Sequence, residues 1–189
     1  LAGGADRLAV ALAAEGAELR EAGLHGPIIV LSQASPDELD DLVRHDLDAT
    51  VYTAAGVQEL AAAVAAHGPR HPVQVHLKVD TGMHRVGAQP DEVVGLARAV
   101  LARPELRLAS VFTHCAVADE PDNPFTAEQL RRYERVLAEL AAAGVEVPLR
   151  HAANTAAAIA HPASRYDLVR CGIGIYGLDW TRTHGNLYE

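Results

Sequence analysis

Residues 73–87 read VQVHLKVDTGMHRVG, and this stretch decides the fold class. Its first part, residues 73–79, is a mostly apolar and β-branched run, which is typical of a buried strand. Polar residues follow at once, with Asp80 and Thr81 directly after the run and Arg85 a few positions later. Buried strands with polar residues at the carboxyl end are typical of parallel α/β sheets, where the chemistry collects at that end.

The same unit recurs on both sides of this stretch. Ala/Leu-rich amphipathic patterns such as AAGVQELAAAVAAHG and PDEVVGLARAVLA alternate with short apolar runs. Thr126 and Gln129 have the spacing of a capping box at the start of one such helix. The alternation predicts a parallel sheet with right-handed crossovers. The apolar runs predict strands at residues 7–11, 27–31, 49–52, 73–79, 108–113, 149–153 and 168–175.

This number of strands suits either a doubly wound sheet or most of a (β/α)8 barrel. No GxGxxG or Walker-type loop follows the first predicted strand, which disfavours the nucleotide-binding doubly wound fold. A complete barrel usually takes about 250 residues, and this chain has 189. We therefore predict an α/β fold that is an incomplete (β/α)8 TIM-type barrel.

The composition disfavours several classes of partner. The formal net charge is −9 and no stripe of Lys or Arg is present, which argues against nucleic acid and anionic membranes. Apolar runs are short and broken by charge, so neither a membrane-spanning segment nor a signal peptide is predicted. The 2 cysteines fit a reducing cytoplasm, and the 10 histidines show no metal-ligand spacing. We expect a cytoplasmic protein without a metal site.

Two observations concern the ends of the chain. The chain begins at Leu1, and its single methionine is Met83. Residues 179–189 show neither helical nor strand periodicity. We expect a segment of a longer protein, with a partial barrel domain at residues 1–178 and a tail of unknown structure after it.

Polar residues follow several of the predicted strands. In a (β/α)8 barrel these strand ends share one rim, and the loops after the last two strands usually hold phosphate. The sequence therefore predicts a site for a phosphate-bearing ligand. The residues at this rim are Lys78, Asp80, Thr81, Arg85, His114, Asn154, Thr155, Arg170, Gly172, Ile173 and Gly174.

Each of these signals also has a purely structural interpretation. Thr155 is suited to capping a helix, and the glycines of residues 172–174 are suited to tight packing. Lys78 could form an ion pair with Asp80. Residues 80–82, DTG, match the triplet of aspartic proteases, but those enzymes need two such carboxylates and the triplet occurs once here.

Four ordered motifs resemble one enzyme family. They read HLKVDTGMHRVG, FTHCAVADEPDNPFTAEQL, HAANTAAAI and DLVRCGIGIYGL. With the opening segment, they make residues 7–178 resemble the N-terminal barrel domain of alanine racemase. The resemblance implies a homodimeric isomerase that uses pyridoxal 5'-phosphate (PLP) to interconvert L- and D-alanine for peptidoglycan synthesis.

The resemblance also implies roles for single residues. Lys78 matches a lysine that is carboxylated to a carbamate, whose negative charge holds Arg85. Arg85 matches an arginine that contacts the phenolic oxygen of the cofactor and the carboxylate of the substrate. His114 matches a histidine beside the cofactor ring, and Arg170 matches an arginine that hydrogen-bonds the pyridine nitrogen. Phosphate contacts are implied for Asn154, Thr155, Gly172 and Ile173.

Two features of that family have no counterpart in these residues. Its Schiff-base lysine lies on the first barrel strand, and its tyrosine base lies in a C-terminal β-domain that acts across the dimer. Lys78 is the only lysine in the chain and matches a different position. We therefore expect strand 1 and the β-domain to be missing, assign no catalytic residue in this span, and expect the span alone to be inactive. Two alternatives stay open: another amino-acid racemase of the same fold, or a non-catalytic PLP-binding barrel protein.

Overall fold

The structure, a computed structural model, describes residues 3–68 and 71–177. Within these ranges, 6 short strands alternate with 6 helices. The strands are β1 (Leu8–Val10), β2 (Ile28–Val30), β3 (Ala49–Val51), β4 (Val73–Lys78), β5 (Leu106–Phe112) and β6 (Leu149–His151). The helices are α1 (Ala13–Glu21), α2 (Leu39–Arg44), α3 (Ala54–His67), α4 (Val93–Leu101), α5 (Phe125–Ala142) and α6 (Thr155–Ala160).

All strand pairs are parallel. β1 pairs with β2, and β3, β4, β5 and β6 pair in chain order. Asp48, just before β3, joins the two groups, because its amide donates to the Ile28 carbonyl at 2.8 Å and its carbonyl accepts from the Val30 amide at 3.0 Å. The spatial order of the strands therefore follows the chain, as expected when each crossover carries a helix. The predicted α/β fold with parallel strands is confirmed.

The predicted strand at residues 168–175 is wrong. Only Arg170 forms a bridge there, parallel to Asn154, and its amide donates to the Ala153 carbonyl at 3.0 Å. Ile173–Tyr176 form a 3-10 turn instead of a strand. Glycine weakens a strand, and this segment contains two glycines and is bridged to a described neighbour on one side only.

A groove separates the two ends of this strand series. Its volume is about 750 Å³, and its walls come from the region of β1 on one side and from residues around Arg170 on the other. Because these two ends do not pair, the strands form a partial TIM-type barrel. The predicted incomplete barrel is therefore confirmed. Residues on the two walls include Arg7, Leu8, Tyr166, Leu168 and Arg170.

An apolar core holds the helices against the strands. Val75 of β4 and Val111 of β5 belong to one buried cluster with Leu60 of α3 and Leu140 of α5. Tyr133 is buried in the same cluster, and its hydroxyl donates to the Val111 carbonyl at 2.6 Å. This packing fixes the strand ends and so the rim that they form. None of the described helices is long and apolar enough to cross a membrane.

Gly87 closes the loop after β4 in a conformation that favours glycine. Its φ is +140°, and an added Cβ would lie 2.7 Å from the amide nitrogen of Asp80. The loop is tied by Ala88, whose amide donates to the Lys78 carbonyl at 2.9 Å. We expect Gly87→Ala to lower the free energy of unfolding by about 2–3 kcal/mol, because the backbone must shift to accommodate the methyl group. Urea denaturation measures this loss.

Gly95→Ala is the matched control. Gly95 lies inside α4, and nothing stands within 4 Å of the position that its Cβ would take. Alanine at this helical position should raise the free energy of unfolding by about 0.5–1 kcal/mol. Similar effects of the two substitutions would contradict the special conformation assigned to Gly87.

Candidate functional site

Three strand ends and the Arg170 bridge converge on one rim. Lys78 is the last residue of β4, His114 follows β5 closely, and Asn154 caps α6 just after β6. Asn154 Nδ2 lies 3.3 Å from His114 Nε2, and Arg170 Nη2 lies 3.4 Å from His114 Nδ1. The structure therefore brings these predicted site residues together at the carboxyl ends of the strands.

The guanidinium of Arg170 is held through both Nη atoms. Nη1 donates to His151 Nδ1 at 2.6 Å, and Nη2 donates to the carbonyls of Thr113 at 2.7 Å and Ala152 at 3.0 Å. Within the described chain, its Nε–H has no hydrogen-bond acceptor. Burial lowers the pKa of Arg170 to about 10, so the side chain stays protonated at neutral pH.

His114 is neutral at physiological pH. Burial lowers its pKa to about 4, and the positive charges of Arg170, Arg85 and Lys78 act in the same direction. A neutral imidazole can accept at one ring nitrogen only, yet both ring nitrogens face donor groups, one on Arg170 and one on Asn154. The rim therefore holds an uncharged ring among cations and donors.

Lys78 is buried although it carries an amine, with 5% of its surface exposed. Its Nζ donates to the Leu31 carbonyl at 3.1 Å and lies 5.4 Å from the centroid of the Phe112 ring. Burial first, and then the nearby charges of Arg85 and Arg170, lower the pKa of Lys78 to about 8. About a tenth of this amine is therefore unprotonated and nucleophilic at pH 7, far more than for an ordinary lysine.

Arg85 lies exposed on the loop after β4. Among residues 3–68 and 71–177, it forms no hydrogen bond or ion pair, with Lys78 or with any carboxylate. The two side chains carry charges of the same sign, so an unmodified Lys78 does not hold Arg85. Together with Arg170, they concentrate positive charge at the rim.

Among the described residues, Asp80 forms no ion pair with Lys78, Arg85 or Arg170. Its carboxylate accepts from the amides of Gly82 at 2.8 Å and His84 at 3.1 Å, and from His84 Nδ1 at 3.1 Å. Burial raises the pKa of this carboxyl, but the hydrogen bonds outweigh burial, so the pKa lies below its usual value. The alternative of an ion pair between Lys78 and Asp80 is wrong. The Asp-Thr-Gly triplet shapes the loop that carries Arg85.

The predicted phosphate loops lie side by side. Asn154, not Thr155, caps α6, because Asn154 Oδ1 accepts from the Ala157 amide at 2.9 Å. Thr155 is buried and its Oγ1 accepts from the Gly174 amide at 3.2 Å. A Cβ on Gly174 would lie 2.5 Å from Thr155 Cγ2, so this glycine permits close packing of the two loops. The amide of Gly172 donates to the Arg170 carbonyl at 3.1 Å.

Comparison with known proteins shows the family to which this chain belongs. Residues 1–179 match the sequence model of a family described as "Alanine racemase, N-terminal domain". The chain belongs to the alanine racemase family. An alanine racemase of Symbiobacterium thermophilum is 46% identical over 177 residues, which cover 93% of this chain and 46% of that protein. An alanine racemase of Desulforamulus reducens is 44% identical over 180 residues, covering 94% and 48%.

Solved alanine racemase structures have the same fold. The enzyme of Clostridium difficile 630, solved as a complex with cycloserine, superposes with a TM-score of 0.87 at 32% identity and covers 94% of this chain and 49% of that one. The enzyme of E. faecalis superposes with a TM-score of 0.85 at 36% identity, covering 96% and 48%. The chain thus spans about half the length of these relatives. The resemblance to the barrel domain of alanine racemase is confirmed.

In this alanine racemase barrel, Gln129 has a role that its spacing did not predict. Its Nε2 donates to the His114 carbonyl at 3.1 Å, and its Oε1 accepts from the Ala116 amide at 2.8 Å. The predicted capping box with Thr126 is therefore wrong, and Pro124 occupies the N-cap position of α5. Gln129 holds the loop after β5 and so fixes the position of His114.

The same barrel contains a buried polar layer that the sequence analysis overlooked. Asp48, His76, Ser110 and His151 are each at most 9% exposed and are linked by hydrogen bonds. The last three are buried polar residues of β4, β5 and β6, and a polar residue in a strand that is expected to be buried is the signal that would have found them. Their contacts end on Arg170.

Proposed function

We propose that this chain is the PLP-binding barrel segment of an alanine racemase, an isomerase that interconverts L- and D-alanine for peptidoglycan in the cytoplasm. One observation carries the proposal. Lys78, Arg85 and Arg170 gather positive charge at one rim, beside the neutral ring of His114, without a carboxylate contact among the described residues. Such a rim suits a ligand that carries phosphate, phenolate and carboxylate oxygens.

The donors of the rim fit the parts of this cofactor. The Nε–H of Arg170, which has no acceptor in the described chain, would donate to the pyridine nitrogen. His114 would lie beside the ring, and Arg85 would contact the phenolic oxygen and the substrate carboxylate. When bound, PLP withdraws electrons from the α-carbon of the substrate. The phosphate would be held by Asn154, Thr155, Gly172 and Ile173.

The charge of Arg170 favours racemisation over other PLP reactions. With a pKa of about 10, Arg170 stays protonated and donates, so it leaves a pyridine nitrogen without a proton. An unprotonated ring is a weaker electron acceptor, which disfavours side reactions such as transamination. A carboxylate at this position would have the opposite effect. The residue type therefore supports an isomerase.

Lys78 is proposed to act as a carbamate. Its unprotonated amine adds to CO2, a C–N bond forms, and one proton leaves to solvent, which gives an N-carboxylate anion. The buried amine with a pKa of about 8 supports this step, because it is partly unprotonated near neutral pH. The anion would attract Arg85, which the ammonium repels, and would fix it over the rim.

Lys78 is the only lysine, so its titration can be followed without ambiguity. In protein labelled with 13C-lysine, we expect the Cε signal to titrate near pH 8 in CO2-free buffer and near pH 10.4, about the usual value, in denaturant. Between these values the unfolded chain binds more protons, so this group makes stability rise with pH across that window. Bicarbonate should produce a second, carbamate signal, and Arg85→Gln should weaken it. Titration at the usual value with no response to bicarbonate would contradict the proposal.

The two catalytic bases of the proposed reaction are not assigned to the described residues. Lys78 ends β4, and its amine donates to the Leu31 carbonyl. We propose that the Schiff-base lysine lies on a strand that fills the groove between β1 and Arg170, whose volume of about 750 Å³ supports this. The tyrosine base would come from the second subunit of a homodimer.

The experiment that tests this function measures D-alanine formation from L-alanine by the complete natural gene product. We expect turnover that requires PLP, and no turnover by the 189-residue chain alone. Arg150→Gln, which alters an exposed pair with Asp167, is the control and should leave activity unchanged. If the gene product racemises another amino acid but not alanine, the proposed substrate is wrong. Absence of any PLP-dependent activity would overturn the whole proposal.

A further inference from the structure

A row of hydrogen bonds crosses the barrel interior to Arg170. His76 Nε2 lies 3.3 Å from Asp48 Oδ2, and His76 Nδ1 lies 2.6 Å from Ser110 Oγ. Ser110 Oγ lies 2.9 Å from His151 Nε2, and His151 Nδ1 lies 2.6 Å from Arg170 Nη1. Both histidines are 1% exposed and Ser110 is fully buried. The row, here termed the relay, consists of Asp48, His76, Ser110 and His151.

When both imidazoles carry a single proton, the chemistry of the two ends fixes the direction of every hydrogen bond in the relay. Arg170 can only donate, so His151 Nδ1 must accept and the proton of His151 lies on Nε2. His151 therefore donates to Ser110, and the Ser110 hydroxyl donates to His76 Nδ1. His76 then carries its proton on Nε2 and donates to the carboxylate of Asp48. Starting instead from Asp48, whose carboxylate only accepts hydrogen bonds, gives the same hydrogen-bond directions.

The fold builds the relay through an irregular strand pairing. The register of β4 and β5 shifts between Val75 and His76, and the shift places Ser110 opposite His76. A bulge of this kind changes which side chains meet across neighbouring strands. The ring of Phe112 stacks on His151 at 4.6 Å with an interplanar angle of 4°, which limits rotation of the imidazole.

We propose that Asp48, His76 and Ser110 are positioning residues for Arg170. Ser110 accepts the hydrogen bond from His151 Nε2–H, and Asp48 and His76 hold the Ser110 hydroxyl in that orientation. The lone pair on His151 Nδ1 therefore stays directed at the guanidinium. That contact and the two carbonyl contacts determine where the Nε–H of Arg170 lies. The consequence for ligand binding rests on the proposed contact between Arg170 and PLP, whereas the tautomers rest on the geometry alone.

The tautomers are tested by 15N NMR of the histidine rings in protein without cofactor. We expect both His76 and His151 to be neutral, with the proton on Nε2. Ser110→Ala removes the acceptor of His151 Nε2–H and the donor to His76 Nδ1. We therefore expect the 15N shifts of these two nitrogens to lose their hydrogen-bonded signatures while both protons stay on Nε2, and Ser110→Thr, which restores a hydroxyl, to recover them. An Nδ1–H or doubly protonated ring at either histidine in the unaltered protein would overturn the relay.

Thr50→Val is the matched control. Thr50 pairs with His76 in the β3–β4 register, is 1% exposed, and its hydroxyl has no hydrogen-bond partner in the described structure. Valine preserves its shape, so the histidine signals should not change. A loss of the signatures in Thr50→Val equal to that in Ser110→Ala would show that any change in the layer has this effect, and would overturn the specific role of Ser110.

The positioning of Arg170 is tested by titration with PLP. We expect Ser110→Ala to raise the Kd for PLP about tenfold, as for one weakened hydrogen bond, and Ser110→Thr to recover most of the affinity. An unchanged Kd in Ser110→Ala, with the unaltered protein binding PLP, would overturn the positioning role. If the unaltered protein does not bind PLP, the proposed function fails, and the 15N spectra alone decide whether the relay exists.

Discussion

Replacing Phe112 with alanine is expected to lower the free energy of unfolding by about 3–5 kcal/mol, because the substitution opens a cavity in the barrel interior. The side chain is 1% exposed and stacks on the ring of His151. Lys78 Nζ lies 5.4 Å and Arg170 Cζ lies 5.3 Å from the centroid of its ring, so Phe112 also forms cation–π contacts with two cations. Urea denaturation monitored by circular dichroism measures the loss.

Two further variants separate burial from other causes. Phe112→Leu keeps much of the volume and should cost clearly less than Phe112→Ala. Leu101→Ala, at the end of α4 where the side chain is 55% exposed, should change stability by only about 0.5 kcal/mol. A loss below about 1 kcal/mol for Phe112→Ala would contradict the packing described for the interior.

Replacing Arg170 with methionine is expected to raise the Kd for PLP by about tenfold to a hundredfold, the effect of losing one charge-assisted hydrogen bond. The substitution also leaves the Thr113 and Ala152 carbonyls and His151 Nδ1 without their donor. Changes in the absorbance of PLP during titration measure the affinity. Circular dichroism of the same samples shows whether the fold persists.

Arg170→Lys and Arg150→Met complete this test. Lysine keeps the positive charge but lacks the planar guanidinium that reaches His151 and the carbonyls together. The Kd of Arg170→Lys for PLP should therefore lie between those of the unaltered protein and Arg170→Met. Arg150 is partly exposed, and its Nε lies 2.8 Å from Asp167 Oδ2, outside the rim. Arg150→Met should therefore leave the Kd for PLP unchanged. Equal Kd values in Arg170→Met and the unaltered protein would contradict the assigned cofactor contact.

The paired strands were predictable because each is a buried apolar run between helical patterns. The run at residues 27–31 contains Ile28–Val30, and the run at 49–52 contains Ala49–Val51. The run at 168–175 has the same apolar and β-branched character but forms a single bridge and a 3-10 turn. Whether such a run becomes a strand depends on a neighbour to pair with, and local sequence does not show that neighbour.

The rim was predictable in outline because the carboxyl ends of parallel strands share one edge. The partners of its side chains were not. Gln129 has the spacing of a capping box, yet its side chain contacts the loop of His114, because a half-buried carbonyl and a half-buried amide of that loop need hydrogen-bond partners. Likewise Asn154 caps α6, which leaves the Thr155 hydroxyl to accept from Gly174. Tertiary contacts decided both cases.

The polar residues of the relay could be found in the sequence, but which of them meet could not, for a geometric reason. His76 and Ser110 meet only because the β4–β5 register shifts beside His76. A shift of one residue reverses which face each side chain occupies, and nothing in the spacing of the apolar residues marks it. Only the paired strands show that polar residues on separate apolar runs form one row.

The most direct measurement of the central claim, that this rim holds PLP without a covalent bond, is a titration of the 189-residue protein with PLP followed by borohydride reduction and mass spectrometry. We expect saturable binding that is tighter than for pyridoxal, which lacks the phosphate, and no pyridoxyl adduct on Lys78. An adduct on Lys78, or PLP binding no tighter than pyridoxal, would contradict the claim.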